Sequence, residues 1–374
     1  MIVLFGASGY TGQRVAEAMV RRDLRPVLAG RSADRLAPIA QRLGKLDVVT
    51  ADVGDASSVK ALIGRGDVLV STVGPFLRLG APALRAAVDA GAIYLDSTGE
   101  SPFIRRVFEE FGPLAERTGA SLITAFGHDY VPGNLAGALA LRLAGGGVHR
   151  VEVGYLISGV GRAQVISRGT FSSMVGLVTE QGFTWRDGIR PEPTGSRMRA
   201  FPLGGEDVPA LSIGSTEHYA LPRLADPAGL PEVDVYLGWF GSATRVLQLS
   251  SRVVTALLVL PGARSLVRRV GEFAVRRVAH EPDPVALARV TSHVVGIAYD
   301  ASGSALAQVS LVSGDPYQLT ADLLAWGAQR AAEHGVSGPG ALGPAEAFGL
   351  DALEAGALEA GVRRWYSGRP VGEG

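Results

Sequence analysis

The residues of this chain that could do chemistry gather at the ends of short apolar runs. Gly6-Ala7-Ser8-Gly9-Tyr10-Thr11-Gly12 follows the run at 2–5 and opens a helical pattern. Glycines so placed permit a tight turn, let backbone approach a pyrophosphate, and let a helix pack close to a strand. The amino end of that helix then offers N–H groups and positive dipole to phosphate. The spacing is G-x-x-G-x-x-G, one residue longer than the usual G-x-G-x-x-G. Glycine is also common, at 50 residues, so the placement between strand and helix carries the reading. Gly6, Ser8, Gly9, Tyr10, Thr11 and Gly12 are therefore expected at the pyrophosphate.

The second apolar run ends Ala29-Gly30-Arg31-Ser32. An acid there would bind a ribose 2′-hydroxyl. Arg31 offers instead a charged planar fork, and Ser32 a hydroxyl, to a 2′-phosphate. NADP is thus the expected cofactor. The bland alternative is that Ser32 caps the next helix and Arg31 is a solvated charge. Asp52 and Val53 end the third strand, where an adenine would lie. Thr72, Gly74, Pro75 and Phe76 end the fourth, at the nicotinamide side.

Hydride transfer belongs to such a cofactor, and the protein must supply or accept a proton. His128 and Tyr130 follow the sixth strand and are the best proton donors. Each has a structural alternative: His128 as a strand cap, Tyr130 as a packing residue. Asp129 is expected to hold the loop through backbone N–H groups. Phe76, Glu100, Arg168 and Thr170 are the candidate substrate contacts, with Arg168 either holding a substrate anion or lying solvated on the surface.

These positions need a scaffold. Up to about residue 145, apolar runs alternate with helical patterns, and the run at 68–73 is unbroken, as in a strand buried on both faces. This predicts an α/β fold, a Rossmann doubly wound parallel sheet, over 1–145. Near residue 148 the pattern changes. Runs at 151–157, 233–240, 289–299 and 306–312, the last two around Asp300-Ala301-Ser302-Gly303, predict a second, mostly antiparallel α+β domain over 146–334. The tail, 335–374, is expected to be helical over 343–365.

Composition closes several doors. Acidic and basic residues balance at 36 each, so nothing favours nucleic acid or an anionic membrane. There is no cysteine, which excludes disulfides, thiol nucleophiles and thiolate metal sites. The six histidines show no metal-ligand spacing, and no metal is expected. Lys45 and Lys60 are the only lysines, both near or on expected surface helices, which disfavours a Schiff base. The run at 253–263 is too short to span a bilayer; it reads as a buried helix or, with Arg264, Arg268 and Arg269 behind it, as an interfacial or lipid-handling one. A cytoplasmic protein is expected, with a homodimer as one possible state.

The motifs GASGYTG at 6–12, AGRS at 29–32, STVGPF at 71–76, DSTGE at 96–100 and GHDYVPGNL at 127–135 resemble the saccharopine dehydrogenase-like oxidoreductases, and within them the bacterial trans-acting enoyl reductases. The stretch RGTFSS at 168–173 and GPAEAFG at 343–349 add weaker likeness. The resemblance implies an inserted second domain and a C-terminal helix returning to the Rossmann domain. It also implies that the segment at 127–135 faces substrate. The family pattern there is G-F-D-S-x-P-S-D-L; Asp129, Pro132 and Leu135 are kept, while His128, Tyr130, Gly133 and Asn134 depart. The family's substrate therefore does not carry over. Three readings follow: an NADPH-dependent reductase of a C=C bond in an apolar acyl or polyketide-like substrate, a C=N reductase of an amino-acid-like substrate served by Arg78, Arg162 and Arg168, and a non-catalytic NADP- or lipid-binding protein. The run at 253–263 and the aromatics at 236–240 favour the first.

Overall fold

The computed structural model describes residues 1–159, 181–225, 229–239, 241, 244–245, 248, 283–366 and 369–370. Two compact units result. The first comprises Met1–Thr98, Phe103–Val131 and Pro316–Ala360; the second comprises Gly99–Pro102, Pro132–Asp315 and Gly361–Gly374. The run at 253–263 and the residues Arg162, Arg168 and Thr170 lie outside the described residues. Among the described residues no helix is long and apolar enough to cross a membrane.

In chain order come β1 (Ile2–Phe5), α1 (Tyr10–Arg21), β2 (Val27–Gly30), α2 (Ala33–Arg42), β3 (Val48–Thr50), α3 (Ala56–Lys60), β4 (Val68–Ser71), α4 (Phe76–Leu79), α5 (Ala81–Ala90), β5 (Ile93–Asp96), α6 (Ser101–Arg106), a π turn (Val107–Phe111), α7 (Gly112–Thr118) and β6 (Ser121–Ile123). Then follow α8 (Val131–Ala144), β7 (Arg150–Ser158), β8 (Phe183–Arg186), β9 (Ile189–Pro191), β10 (Met198–Leu203), β11 (Glu206–Ser212), α9 (Glu217–Leu224), β12 (Glu232–Gly238), α10 (Pro284–Leu287), β13 (Thr291–Tyr299) and β14 (Ala305–Ser313). The chain closes with α11 (Pro316–His334), β15 (Gly340–Ala341), α12 (Pro344–Phe348), α13 (Leu350–Glu359), β16 (Arg363–Tyr366) and β17 (Arg369–Pro370).

The first unit is a seven-stranded sheet in the order β15-β6-β5-β4-β1-β2-β3, parallel throughout. The order reverses beside β1, which lies between β4 and β2, and the right-handed rule for parallel crossovers then assigns helices to both faces. Val3, Leu4, Val68, Leu69 and Val70 are fully buried, as a strand covered on both faces requires. α1 buries Val15, Ala16 and Met19, the face expected from their spacing. α11 supplies the last layer. Its Gly327 lies where a Cβ would come within 2.6 Å of the Phe126 ring. Phe126 stacks on Trp326 at 6.3 Å, and Phe348 meets Trp326 edge-on at 5.2 Å.

Among the described residues the second unit is a ten-stranded sheet, β10-β11-β12-β7-β13-β14-β16-β17 with β8 and β9 attached through β12. Its pairings are antiparallel except β12 with β7. The expected hairpin is present as β13–β14. The Asp300 carboxylate accepts from the N–H groups of Ser302 and Ser304 at 2.8 and 2.9 Å, closing the turn. α8 approaches this sheet closely: a Cβ on Gly296 would lie 2.6 Å from the Ala136 carbonyl carbon.

Several assignments differ from the sequence expectation. Residues 99–102, 132–145 and 361–374 belong to the second unit, and 316–334 to the first. The tail is not helical through 365. Gly349, at φ 81, separates α12 from α13, and Gly361, at φ 98, ends the helical run. Arg363–Tyr366 then pairs with β14, in keeping with the strand preference of its aromatics.

Candidate functional site

The glycine turn is built by contact as much as by conformation. Gly6 sits at φ 92, and a Cβ there would meet Thr72 Oγ1 at 2.7 Å and Val73 Cγ2 at 2.9 Å. A Cβ on Gly12 would overlap the Gly6 carbonyl and lie 2.9 Å from Ala7 Cα. The loop is pinned by Gly6 N–H donating to Ala29 O at 2.9 Å and Gly9 N–H to Gly6 O at 2.9 Å. α1 begins with Gly9 as its N-cap and no side chain capping it, so its positive end is open to an anion. Gly9 is exposed, and Ser8, Tyr10 and Thr11 are half-buried.

At the end of β2, Arg31 is exposed. The Ser32 hydroxyl accepts from Arg35 N–H at 3.4 Å, so it does cap α2. Arg35, a residue the sequence did not single out, donates from Nη2 to Ser8 O at 3.3 Å. Arg35 therefore reaches the glycine turn, while Arg31 is exposed at the end of the neighbouring strand β2. Asp34 is exposed. Asp52 accepts from Gly54 N–H at 2.7 Å, which turns the chain after β3, and Val53 is half-buried. Beyond β4, Thr72 N–H and Oγ1 both reach Phe5 O, at 2.9 and 3.3 Å. The Gly74–Pro75 bond is cis, and Phe76 is buried with its ring 5.6 Å from that of Phe103.

The ends of β5 and β6 are joined by a residue absent from the expected site. Asp96 is fully buried. Its Oδ1 accepts from Thr98 N–H and Ala125 N–H, each at 2.9 Å, and its Oδ2 from Thr124 Oγ1 at 2.8 Å. Its main-chain oxygen accepts from Phe126 N–H at 2.7 Å. Burial pushes the Asp96 carboxyl up to about 6, against the pull of these hydrogen bonds. Tyr94 lies beside it; burial and then the Asp96 charge push its phenol well up. Ala125 has φ 57, a left-handed conformation costing an ordinary residue about 1–2 kcal/mol. The hydrogen bonds from Ala125 and Phe126 to Asp96 hold it there. A sequence signal existed: Ile93-Tyr94-Leu95-Asp96 is an apolar strand ending in an acid.

The loop so held carries His128, Asp129 and Tyr130. His128 N–H donates to Thr320 Oγ1 at 3.0 Å, and its Nδ1 lies 3.1 Å from Asp129 Oδ1. This is the geometry of an Nδ1–H donating to a carboxylate, which makes Nε2 the basic nitrogen. Asp129 thus contacts the imidazole, and the backbone-holding role expected of it is filled by Asp96. Tyr130 N–H donates to Ala125 O at 3.0 Å, and the Asp129–Tyr130 bond is cis. His128 and Tyr130 are buried, at 2% and 4% exposure. Phe76 and these three residues share the first unit, whereas Glu100, also buried, belongs to the second.

In the second unit the departures at 133 and 134 acquire a physical setting. Gly133 N–H donates to Tyr155 Oη at 3.0 Å, and Tyr155 donates to Glu217 Oε1 at 2.6 Å. A Cβ on Gly133 would overlap both the phenol and the carboxyl oxygen. Asn134 donates to Thr216 Oγ1 at 2.8 Å. Burial raises the Glu217 carboxyl to about 7 and lowers the nearby His218 to about 4. A serine at 133 would have no room while Tyr155 and Glu217 hold their places.

Residues 2–122 match the family model of the saccharopine dehydrogenase NADP binding domain. A trans-acting enoyl reductase of Mycobacterium leprae is 39% identical over 140 residues, and one of Mycobacterium ulcerans 36% over 140. Each alignment covers 36% of this chain and 34% of the relative, so the chain matches about a third of the length of these relatives. In overall fold the chain is similar to saccharopine dehydrogenase (L-Glu forming) from Saccharomyces cerevisiae, with a TM-score of 0.60 and 13% identity over 98% of this chain and 99% of that one. Homospermidine synthase from Legionella pneumophila, solved with NAD, gives 0.59 and 11% over 97% and 91%. Residues 2–122 are therefore similar to the saccharopine dehydrogenase NADP binding domain, and the fold of the chain is similar to that of the yeast enzyme.

Proposed function

We propose that this chain is an NADPH-dependent reductase that reduces a C=C bond in an apolar acyl or polyketide-like substrate. The observation that carries the reading is the cradle at Gly6 and Gly12, open at the amino end of α1 and reached by Arg35. The reading of a dinucleotide with a 2′-phosphate is supported by the uncapped amino end of α1, by Arg35 reaching the loop, by the exposed Arg31 at the end of β2, and by the lack of an acid there. NADPH, when bound, supplies the hydride. The first unit would hold the adenosine half at β1–β3 and the nicotinamide half at β4–β6. Thr72 and Pro75 would line the second half. His128, with its tautomer set by Asp129, would donate the proton to the α-carbon, and Tyr130 is the second candidate for that step. The names of the mycobacterial relatives support the C=C bond over C=N.

The reading is tested by following NADPH oxidation with unsaturated acyl thioesters of increasing chain length, and with cyclic imines in parallel. Saturated thioester as product supports it. Turnover of imines alone would move the chain to the C=N reading. NADPH binding with no turnover across either panel would favour a binding protein.

A further inference from the structure

We propose that Asp96 is a positioning residue that sets the nicotinamide half of the site by fixing the loops after β5 and β6 to each other. The proposal rests on the nucleotide reading above and goes beyond it, because Asp96 touches neither the glycine turn nor Arg31 and Arg35. One carboxylate oxygen receives Thr98 N–H from the β5 loop and Ala125 N–H from the β6 loop, both at 2.9 Å. The other receives Thr124 Oγ1 at 2.8 Å. Oδ1 is thus a single point shared by two strand-end loops on neighbouring strands. Ala125, at φ 57, directs the chain into His128–Tyr130, and Tyr130 N–H returns to Ala125 O. Remove the acceptor, and two buried N–H groups lose their partner while an alanine keeps an unfavourable backbone.

The groups facing Asp96 are few. Tyr94, on its own strand, is the titratable one, and Ser71 on β4 is adjacent to that phenol. Thr98, Thr124 and Ala125 supply hydrogen bonds only. No cation is among the groups that shift it. The carboxylate is held by neutral donors, whose grip weakens when it gains a proton, because hydrogen bonds to an ionised acceptor are about twice as strong as neutral ones. With the carboxyl raised by burial to about 6, the two loops should loosen as pH falls through that value. His128 lies in the same loop and is the competing source of a pH effect.

The experiment compares two probes on the full chain: oxidised NADP, and 2′,5′-ADP, which has the adenosine and 2′-phosphate but no nicotinamide. Affinities are measured by calorimetry from pH 8 to pH 5 for wild type, Asp96→Asn and Thr124→Val. The 2′-phosphate titrates in this range too, but it is common to both probes and cancels in their ratio. In Asp96→Asn, NADP should bind about tenfold more weakly while 2′,5′-ADP stays within about twofold, a loss of roughly one charge-assisted contact. In wild type the NADP advantage should shrink below pH 6, and in Asp96→Asn it should be low and flat. Thr124→Val should show a smaller loss in the same direction. Should Asp96→Asn fail to fold, the wild-type series is set against that of His128→Gln: an NADP advantage that still shrinks below pH 6 in His128→Gln supports the proposal, and one that becomes flat overturns it. Equal NADP affinity in wild type and Asp96→Asn would overturn the proposal. So would an unchanged pH dependence in Asp96→Asn, which would assign it to His128. If neither probe binds wild type, the nucleotide reading itself fails.

Discussion

The two units use buried polarity in opposite ways. In the first, all but one of the buried polar side chains, Ser71, Asp96, Thr98, Thr124 and His128, gather at one end of the sheet, with Ser121 at the start of β6. The central strands behind them are apolar, and the buried carboxylate of Asp96 is held by neutral donors. In the second, charge lies within the sheet. Asp234 and Glu152 are register partners on the parallel pair β12–β7, two acids side by side. Arg186 and Arg197 both hold Asp234 at 2.6 Å, and Arg199 holds Glu152 at 3.1 Å. Those hydrogen bonds and charges keep Asp234 below the usual carboxylate range despite its burial. Polarity at a strand end can serve a ligand; polarity balanced within a sheet serves the sheet.

That contrast is open to attack, and the largest effect should come from the second unit. Arg197→Ala removes one of two guanidinium partners from Asp234 and the partner of Glu192, at 3.0 Å. Stability should fall by about 3–4 kcal/mol, read by denaturant unfolding, because a buried carboxylate loses compensation. NADP affinity should be unchanged. A loss of nucleotide binding in the folded variant would break the division of labour.

Next comes the buried acid of the second unit. The folded Glu217 carboxyl is raised from 4.5 to about 7. A raised carboxyl stabilises the fold fully below the unfolded value, and that contribution is lost as pH rises through the folded one. The difference corresponds to about 3 kcal/mol. Glu217→Gln should therefore flatten the decline in stability between pH 4.5 and pH 8, while Asp96 sustains its own decline up to about 6. An identical pH–stability profile for Glu217→Gln and wild type would show that Glu217 is charged in the fold.

In the first unit the effects should move from stability to binding. Arg31→Asp puts a negative charge where the 2′-phosphate is proposed to lie. It should cost NADPH about ten- to a hundredfold in affinity, or about 1.4–2.7 kcal/mol, and spare NADH. Melting temperature should hold, since Arg31 is exposed. Equal wild-type affinity for both cofactors would remove Arg31 from specificity. The smallest effect is expected at Ser32. Because its hydroxyl caps α2, Ser32→Ala should cost about 1 kcal/mol of stability. A change in NADPH affinity larger than that of Arg31→Asp would reverse the roles of the two residues.

Local pattern made much of the first unit legible. The apolar runs at 2–5 and 68–71, the glycine turn and the helix at Ala33–Arg42 all declare themselves within a dozen residues. Contacts between distant segments did not. Gly340–Ala341 is a two-residue strand, too short for any periodicity, and it exists because β6 offers an edge. α11 buries residues all along its length, so its pattern announces burial without naming a partner. Asp96 reads as a strand-end acid until Ala125 and Thr98 come within hydrogen-bond reach. His128 and Asp129 are neighbours in sequence, and their pairing was available; the shared acceptor behind them was not. In the second unit, the register of Asp234 with Glu152 follows from the parallel pairing of strands that lie far apart in the chain.

The first unit closes on itself only with Pro316–Ala360. Arg21 on α1 finds Asp322 on α11 at 2.8 Å across 301 residues of chain. Tyr10 meets Tyr317 edge-on at 5.3 Å, and Phe126 is covered by Trp326 and Phe348. On a ribosome the N-terminal strands emerge first, and the helix that covers them emerges after the whole of Pro132–Asp315. At about 5–20 residues per second, that leaves Phe126 and the outer edge of β6 uncovered for roughly 10–40 s. Early in its life the nascent chain therefore presents an apolar face and an unpaired strand edge, the features that chaperones bind. A protein truncated before residue 316 would keep them.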